Sequence, residues 1–193
     1  MKLVIASNNA KKRKEIEHIL GDLGFDIIPA TDTVFVDVEE DGTSFAENAK
    51  KKATTFAAAN HCAALGDDSG LCVDALNGAP GIYSSRFAEE NASDAENNKK
   101  LLAELHGVSN RAAHFSCAIH LQFADGRFLR AEGRVDGEIR KNSSGQSGFG
   151  YDPLFFCPEL GKVFAEATPE EKAAVSHRGR ALRALAAQLQ TFR

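Results

Sequence analysis

No long hydrophobic run opens this chain. Leu3-Val4-Ile5-Ala6 gives way at once to Ser7-Asn8-Asn9, too short a stretch for a membrane span or the core of a signal peptide. The expectation is a cytoplasmic protein with no membrane partner. A basic surplus is missing too. The formal net charge is -4, which argues against a nucleic-acid partner, because duplex phosphates call for clustered lysine and arginine. A small phosphate-bearing ligand needs only a local basic pocket and stays possible. The four cysteines, Cys62, Cys72, Cys117 and Cys157, are scattered among apolar residues without a CxxC pair. That excludes the usual zinc and disulfide frameworks and suggests buried free thiols in a reducing compartment. There is no Walker A or GxGxxG sequence, and no nucleophile elbow to suggest a serine hydrolase. Internal repeats and long linkers are absent as well.

What remains is an ordinary globular chain. With 193 residues, 43% of them hydrophobic and 26% charged, it can bury a sizeable core as one domain, 1–193. Lys2 to Ala6 reads as a buried strand. Asn9 is placed to cap a helix whose apolar face is Ile16, Ile19, Leu20 and Leu23, ended by Gly24. Phe25 to Ile28 suggests a second strand, followed by an acidic loop from Thr31 to Gly42. Ser44 and Glu47 form a capping-box signature for a helix carrying Phe45, Ala49, Ala53, Phe56 and Ala57. Ala63 to Gly66 and Leu71 to Val73 read as short strands on either side of Asp67-Asp68-Ser69-Gly70. Ala92 to Leu105 reads as a helix.

From Phe115 to Phe123 apolar residues alternate with polar ones such as His120, the period of a half-buried strand. Asp125-Gly126 is a hairpin signal. The return strand carries Leu129, Ala131, Val135 and Ile139, with bends or bulges suggested at Gly133 and Gly137. Thr168 and Glu171 make a second capping box with Pro169 at the first helical position. Ser176 can cap a last helix with Leu182, Leu185, Ala186 and Leu189 inward. Helix-alternating strands together with a long hairpin predict an α/β fold with a mixed sheet.

Four segments carry candidate chemistry. Ser7-Asn8-Asn9-Ala10-Lys11-Lys12 lies at a strand-to-helix turn, where backbone N–H groups and the helix dipole favour an anion. A capped helix with a solvated basic face is the plainer alternative. Asp67-Asp68-Ser69-Gly70 supplies paired carboxylates, hard ligands suited to Mg²⁺ or able to deprotonate water. The same residues are also common in turns. Glu39-Glu40-Asp41 is a further acidic cluster. In Ser147-Gly148-Phe149-Gly150-Tyr151-Asp152-Pro153 an aromatic ring can stack on a base and Asp152 can accept from a base N–H. Ser176-His177-Arg178-Gly179, with Lys172 upstream, can bind phosphate at a helix start.

Taken in series, these segments, with Ser44-Phe45-Ala46-Glu47-Asn48-Ala49, Lys52 and Gly78-Ala79-Pro80-Gly81 to Arg86, resemble the inosine triphosphate pyrophosphatase family. Within it they resemble the bacterial members acting on dITP and XTP. The resemblance covers nearly the whole chain. It implies an elongated single α/β domain with a long mixed sheet and two lobes around a central cleft, usually as a homodimer. It implies Mg²⁺-dependent hydrolysis of abnormal purine nucleoside triphosphates between the α- and β-phosphates, which keeps deaminated purines out of nucleic acid. By position it makes Asp68 the proton acceptor and a metal ligand, and Glu40 the other metal ligand. Ser7, Asn8, Asn9, Ala10, Lys11, Lys12, Lys52, Ser69, Phe149, Gly150, Tyr151, Asp152, Lys172, His177 and Arg178 become substrate-binding positions. Lys12, Lys52 and Lys172 are expected at the phosphates. Arg178 and His177 are expected to donate to the 6-oxo group of the purine, and the division of labour between Asp67 and Asp68 is open. The rival readings are a related Maf-type pyrophosphatase acting on modified pyrimidines and a non-catalytic nucleotide sensor.

Overall fold

Leu3, Val4, Ile5 and Ala6 have no exposed surface, as expected for an inner strand of a parallel sheet covered on both faces. In the computed structural model, which describes residues 2–22 and 25–192, they belong to β1 (Lys2–Ala6). The chain continues through α1 (Ala10–Asp22), β2 (Asp26–Ile27), α2 (Phe45–Asn60), β3 (Ala63–Val73), α3 (Asp94–Glu104), β4 (Ala112–Gln122) and β5 (Phe128–Ile139). It ends with β6 (Phe155–Cys157), β7 (Lys162–Val163), α4 (Pro169–Val175) and α5 (His177–Thr191). The sheet order is β2-β1-β3-β4-β5-β6-β7. β1 runs parallel to β2 and β3, while β6 is antiparallel to both β5 and β7. The α/β class and the mixed sheet expected from the sequence are both present.

The chain contributes to two compact units, and the boundaries fall inside β3, β4 and β5 and at the start of α5. The first unit gathers Met1–Asp68, Cys117–Gly133 and Arg178–Arg193. One of its cores joins Val4, Ala6, Phe56, Ala57 and Ala64, with Ile28, Val36 and Val38 packed against them. The second unit gathers Ser69–Ser116 and Arg134–His177. Its core packs aliphatic residues such as Leu71, Leu101, Val135 and Leu154 around Phe115, Phe155 and Phe164, whose ring centroids lie 4.7–6.1 Å apart.

Several local expectations need correction. Asp67-Asp68-Ser69-Gly70 is not a turn; β3 runs straight through it as one strand of 11 residues. The turn propensity is overridden because the carboxylates find buried partners and Gly66 packs against α2. Ser44 caps α2 by accepting from Glu47 N–H at 3.2 Å, but the Glu47 carboxylate reaches past Ser44 to the Thr43 N–H and hydroxyl, at 2.7 and 2.9 Å. Complete capping boxes form at Thr168 and Glu171, as expected, and also at Ser93 and Glu96.

His120, expected to face water, is 1% exposed and stacks on Phe128. The alternation along β5 is unbroken, so its glycines mark no bulge. A Cβ on Gly137 would lie 2.3 Å from the Phe156 carbonyl oxygen, so this glycine admits the neighbouring strand. The expected helix positions Leu23 and Gly24 lie outside the described residues.

Candidate active site

In the first unit β1, α1, α2 and β3 bring charged groups together. Gly66 sets the distance, because a Cβ there would lie 2.1 Å from the Ala49 carbonyl oxygen of α2. That close approach lays the α2 face carrying Asn48 and Lys52, four residues apart, against Asp68. Lys52 Nζ lies 3.1 Å from Glu40 Oε1 and 3.4 Å from Asp68 Oδ1. Asn48 Nδ2 donates to Asp68 Oδ2 at 3.0 Å.

The adjacent aspartate lives differently. Arg178 Nε and Nη2 grip the Asp67 carboxylate at 3.1 and 3.2 Å. Lys12 Nζ stands 3.4 Å from Asp67 Oδ1, and the Cys117 thiol donates to Oδ2 at 3.0 Å.

The electrostatics separate the two carboxylates. Burial pushes the Asp68 carboxyl above its ordinary pKa, and Glu40 adds to that, against the pull of Lys52, Lys12 and the Asn48 hydrogen bond. Asp67 is buried even more deeply, but Arg178 and Lys12 overwhelm the desolvation and hold it far below the carboxylate range. Asp67 is therefore a fixed anion clamped by an arginine, and Asp68 is the carboxyl with proton affinity to use. For Glu40, burial is outweighed by Lys52 and Lys12, so its pKa falls. Burial likewise works against Lys52, yet Asp68 and Glu40 keep it firmly protonated. Burial and Asp67 push the Cys117 thiol well up, which keeps it a neutral donor.

The Ser7–Lys12 turn caps α1 as expected: Asn9 Oδ1 accepts from Lys11 N–H at 2.9 Å and from Lys12 N–H at 3.1 Å. Ser7 Oγ accepts from Asn9 N–H at 3.2 Å. Three backbone donors expected to be available to an anion are thus engaged by the turn's own side chains. Ser7 is buried, and Asn8, Asn9, Ala10 and Lys11 are exposed.

A second cluster stands within the second unit. Asp152 Oδ2 accepts from Lys172 Nζ at 2.7 Å and from Phe149 N–H at 2.8 Å. Lys172 Nζ lies 4.8 Å from the Phe149 ring centroid and 5.5 Å from that of Phe164. A Cβ at Gly148 would lie 2.1 Å from Asp152 Oδ2, so only glycine lets the loop close over the carboxylate. The Gly150 carbonyl accepts from Asn98 Nδ2, and the Tyr151 hydroxyl donates to the Ser84 carbonyl, each at 2.8 Å. Tyr151 thereby anchors the loop, and burial raises its phenol pKa. Ser69, half-buried on β3, opens this unit.

Four of the expected ligand-facing side chains have partners within the chain. Lys52 holds Glu40 and Asp68, and Lys172 holds Asp152. Arg178 is 1% exposed, and besides Asp67 it donates through Nη1 to Glu15 Oε2 at 2.6 Å. His177 is 4% exposed and stacks on Phe115 with ring centroids 4.8 Å apart. Sequence spacing reveals neither burial nor partner, and a buried charge must find a counter-charge. Asn48, Glu15 and Cys117 carry contacts that no role was expected for. Only Asn48 left a signal, a polar residue on the core-facing side of α2 beside Ala49 and four residues before Lys52.

Parallel β2-β1-β3 strands, a capped helix start and a buried carboxylate–ammonium cluster define an α/β protein with a charged cluster beside a helix start. The chain belongs to the Ham1 family, whose sequence pattern matches residues 3–188. It is 49% identical over 193 residues to the dITP/XTP pyrophosphatase of Exiguobacterium sp. (strain ATCC BAA-1283 / AT1b), covering 100% of this chain and 98% of that one. It is 50% identical over 184 residues to the dITP/XTP pyrophosphatase of Geobacter sulfurreducens, covering 94% and 92%. Among solved structures, the HAM1 protein from Coxiella burnetii superposes with a TM-score of 0.88 at 42% identity, over 100% of both chains. The Staphylococcus aureus Ham1 protein does so with 0.86 at 42% identity, over 99% of both.

Proposed function

We propose that this chain hydrolyses abnormal purine nucleoside triphosphates, dITP and XTP among them, to the monophosphate and pyrophosphate. The observation that carries the chemistry is the placement of Asp68: a buried carboxyl of raised proton affinity, fixed by Asn48 and Lys52, with Glu40 on the same ammonium. The substrate class is that of relatives about half identical over nearly their full length.

Glu40 and Asp68 suit Mg²⁺ as a pair. They are hard oxygen donors converging on a point where a cation, Lys52 Nζ, already sits. Among the described residues no group of three or more His, Cys, Asp or Glu side chains is poised to hold a metal. This donor set matches an ion that takes one or two carboxylates and completes its shell with phosphate and water. When bound, Mg²⁺ supplies neutralisation of phosphate charge.

The protein's own groups do the rest. Asp68 accepts the proton of the attacking water while a new oxygen–phosphorus bond forms. The bond to the bridging oxygen between the α- and β-phosphates breaks, and pyrophosphate departs with that oxygen and its electron pair. Lys11 and Lys12 contribute positive charge for the phosphates, and the side chains of Ser7, Asn8 and Asn9 contribute donors.

Base selection falls to Phe149, Asp152 and Lys172. An ammonium donor and a carboxylate acceptor side by side beneath an aromatic ring complement the 6-oxo and N1–H groups of hypoxanthine and xanthine. Adenine presents the reverse pair and leaves both protein groups mismatched.

Assembly as a homodimer and action in the cytoplasm belong to the same reading, on the strength of the resemblance. So does operation as one domain, since the family pattern spans both units. The test of function is turnover of dITP with MgCl₂. Monophosphate and pyrophosphate in equal amounts support it; orthophosphate as the sole phosphate product, or no product, overturns it.

A further inference from the structure

Asn48 is wholly buried on α2 and uses both ends of its amide. Its Nδ2 donates to Asp68 Oδ2 at 3.0 Å, and its Oδ1 accepts from the Gly42 N–H at 2.8 Å. Gly42 closes the acidic loop that carries Glu40, two residues away. The fit is tight, because a Cβ at Gly42 would lie 2.5 Å from Asn48 Oδ1. One side chain thus joins the strand bearing Asp68 to the loop bearing Glu40.

We infer that Asn48 is a positioning residue, a two-ended clamp that fixes the Asp68 carboxylate and ties the Glu40 loop to it so that both carboxylates meet at one point. The chemistry requires an amide. A carboxylate at this position accepts from Gly42 but offers Asp68 no donor, and an alkyl group does neither. Lys52 reaches the same two carboxylates with charge, but a flexible ammonium sets no direction. Asn48 supplies the directional hydrogen bond that selects the Asp68 rotamer. The inference rests on the reading that Asp68 and Glu40 form the reactive centre.

The two ends can be tested apart. Asn48→Asp is close to isosteric, keeps the acceptor for Gly42 and loses the donor to Asp68. Asn48→Ala loses both. Amide hydrogen exchange at Gly42 reads the loop end without any turnover, and kcat against KM for dITP reads the Asp68 end. Asn48→Ala should speed Gly42 exchange at least ~10-fold, the worth of one hydrogen bond, whereas Asn48→Asp should keep wild-type protection. Both variants should lose kcat at least ~10-fold with KM for dITP within about 2-fold, because a hydrogen bond to a charged group is broken away from the substrate.

Unchanged exchange at Gly42 in Asn48→Ala overturns the clamp, as does wild-type kcat in Asn48→Asp. If Asn48→Ala does not fold, Asn48→Asp decides through kcat and through its retained Gly42 protection. If wild-type protein turns over no dITP, the functional reading falls, and the exchange arm still decides whether the clamp holds the loop.

Discussion

Two neighbouring aspartates divide the work by their partners. Asp67 is gripped by Arg178 and Lys12, and its neutralisation takes from the buried Arg178 guanidinium a two-point counter-charge and leaves it Glu15. Asp67→Asn should cost roughly 3–5 kcal/mol of stability, as breaking one side of a buried ion pair does. The pH dependence has a definite sign. The folded pKa of Asp67 is depressed, so its contribution is complete above the unfolded value of about 3.9 and is lost as pH falls below it. In Asp67→Asn, denaturant melts should lose that acid-side component.

Asp68 has the opposite sign, since burial raises its pKa. Asp68→Asn should therefore leave the melting temperature unchanged or higher while kcat drops at least ~10²-fold. A stable Asp68→Asn enzyme with near wild-type kcat would remove it as the proton acceptor.

Base choice is also a residue-scale matter. Lys172→Met should collapse the preference for dITP over dATP, because the ammonium donor beside Asp152 is lost. An unchanged ratio of kcat/KM values in a folded variant would show that the pair does not read the base. Sequence made these residues visible as a set but not their partners within the chain. Lys52, Lys172 and Arg178 were legible as cations but not as cations already held by carboxylates.

Among the elements, β3 teaches most. Asp67-Asp68-Ser69-Gly70 has turn composition, yet it continues a strand because its neighbours on both sides are strand-forming and its carboxylates are satisfied inside. The helix starts were legible where a side chain caps locally, as at Asn9, Ser44 and Thr168, because capping depends on residues a turn apart. Close approach between elements was not, because it depends on residues distant in sequence.

Gly66 is such a case. Ala at this position would collide with the Ala49 carbonyl oxygen and, at 2.8 Å, with the Ala53 nitrogen. Gly66→Ala should cost about 1–3 kcal/mol as overpacking and lower kcat too, because the same shift moves Asn48 and Lys52 away from Asp68. Urea melts and kcat measured on one preparation check this; loss of neither would show that β3 and α2 do not set the site's geometry.

For the molecule as a whole, class and sheet type were readable from the order of elements, and the family from motifs in series. The interleaving of two compact units was not, since their boundaries fall within continuous strands that carry no linker composition. The central claim is that Asp68 drives cleavage between the α- and β-phosphates of abnormal purine nucleotides. The most direct measurement supplies dITP, dATP and dTTP to wild type and to Asp68→Asn, with and without MgCl₂, and quantifies monophosphate, pyrophosphate and orthophosphate separately. The account predicts dIMP and pyrophosphate in equal amounts from wild type with MgCl₂, far slower turnover of dATP and dTTP, and next to no product from Asp68→Asn or after chelation. Orthophosphate as the first product, or undiminished cleavage by Asp68→Asn, would contradict it.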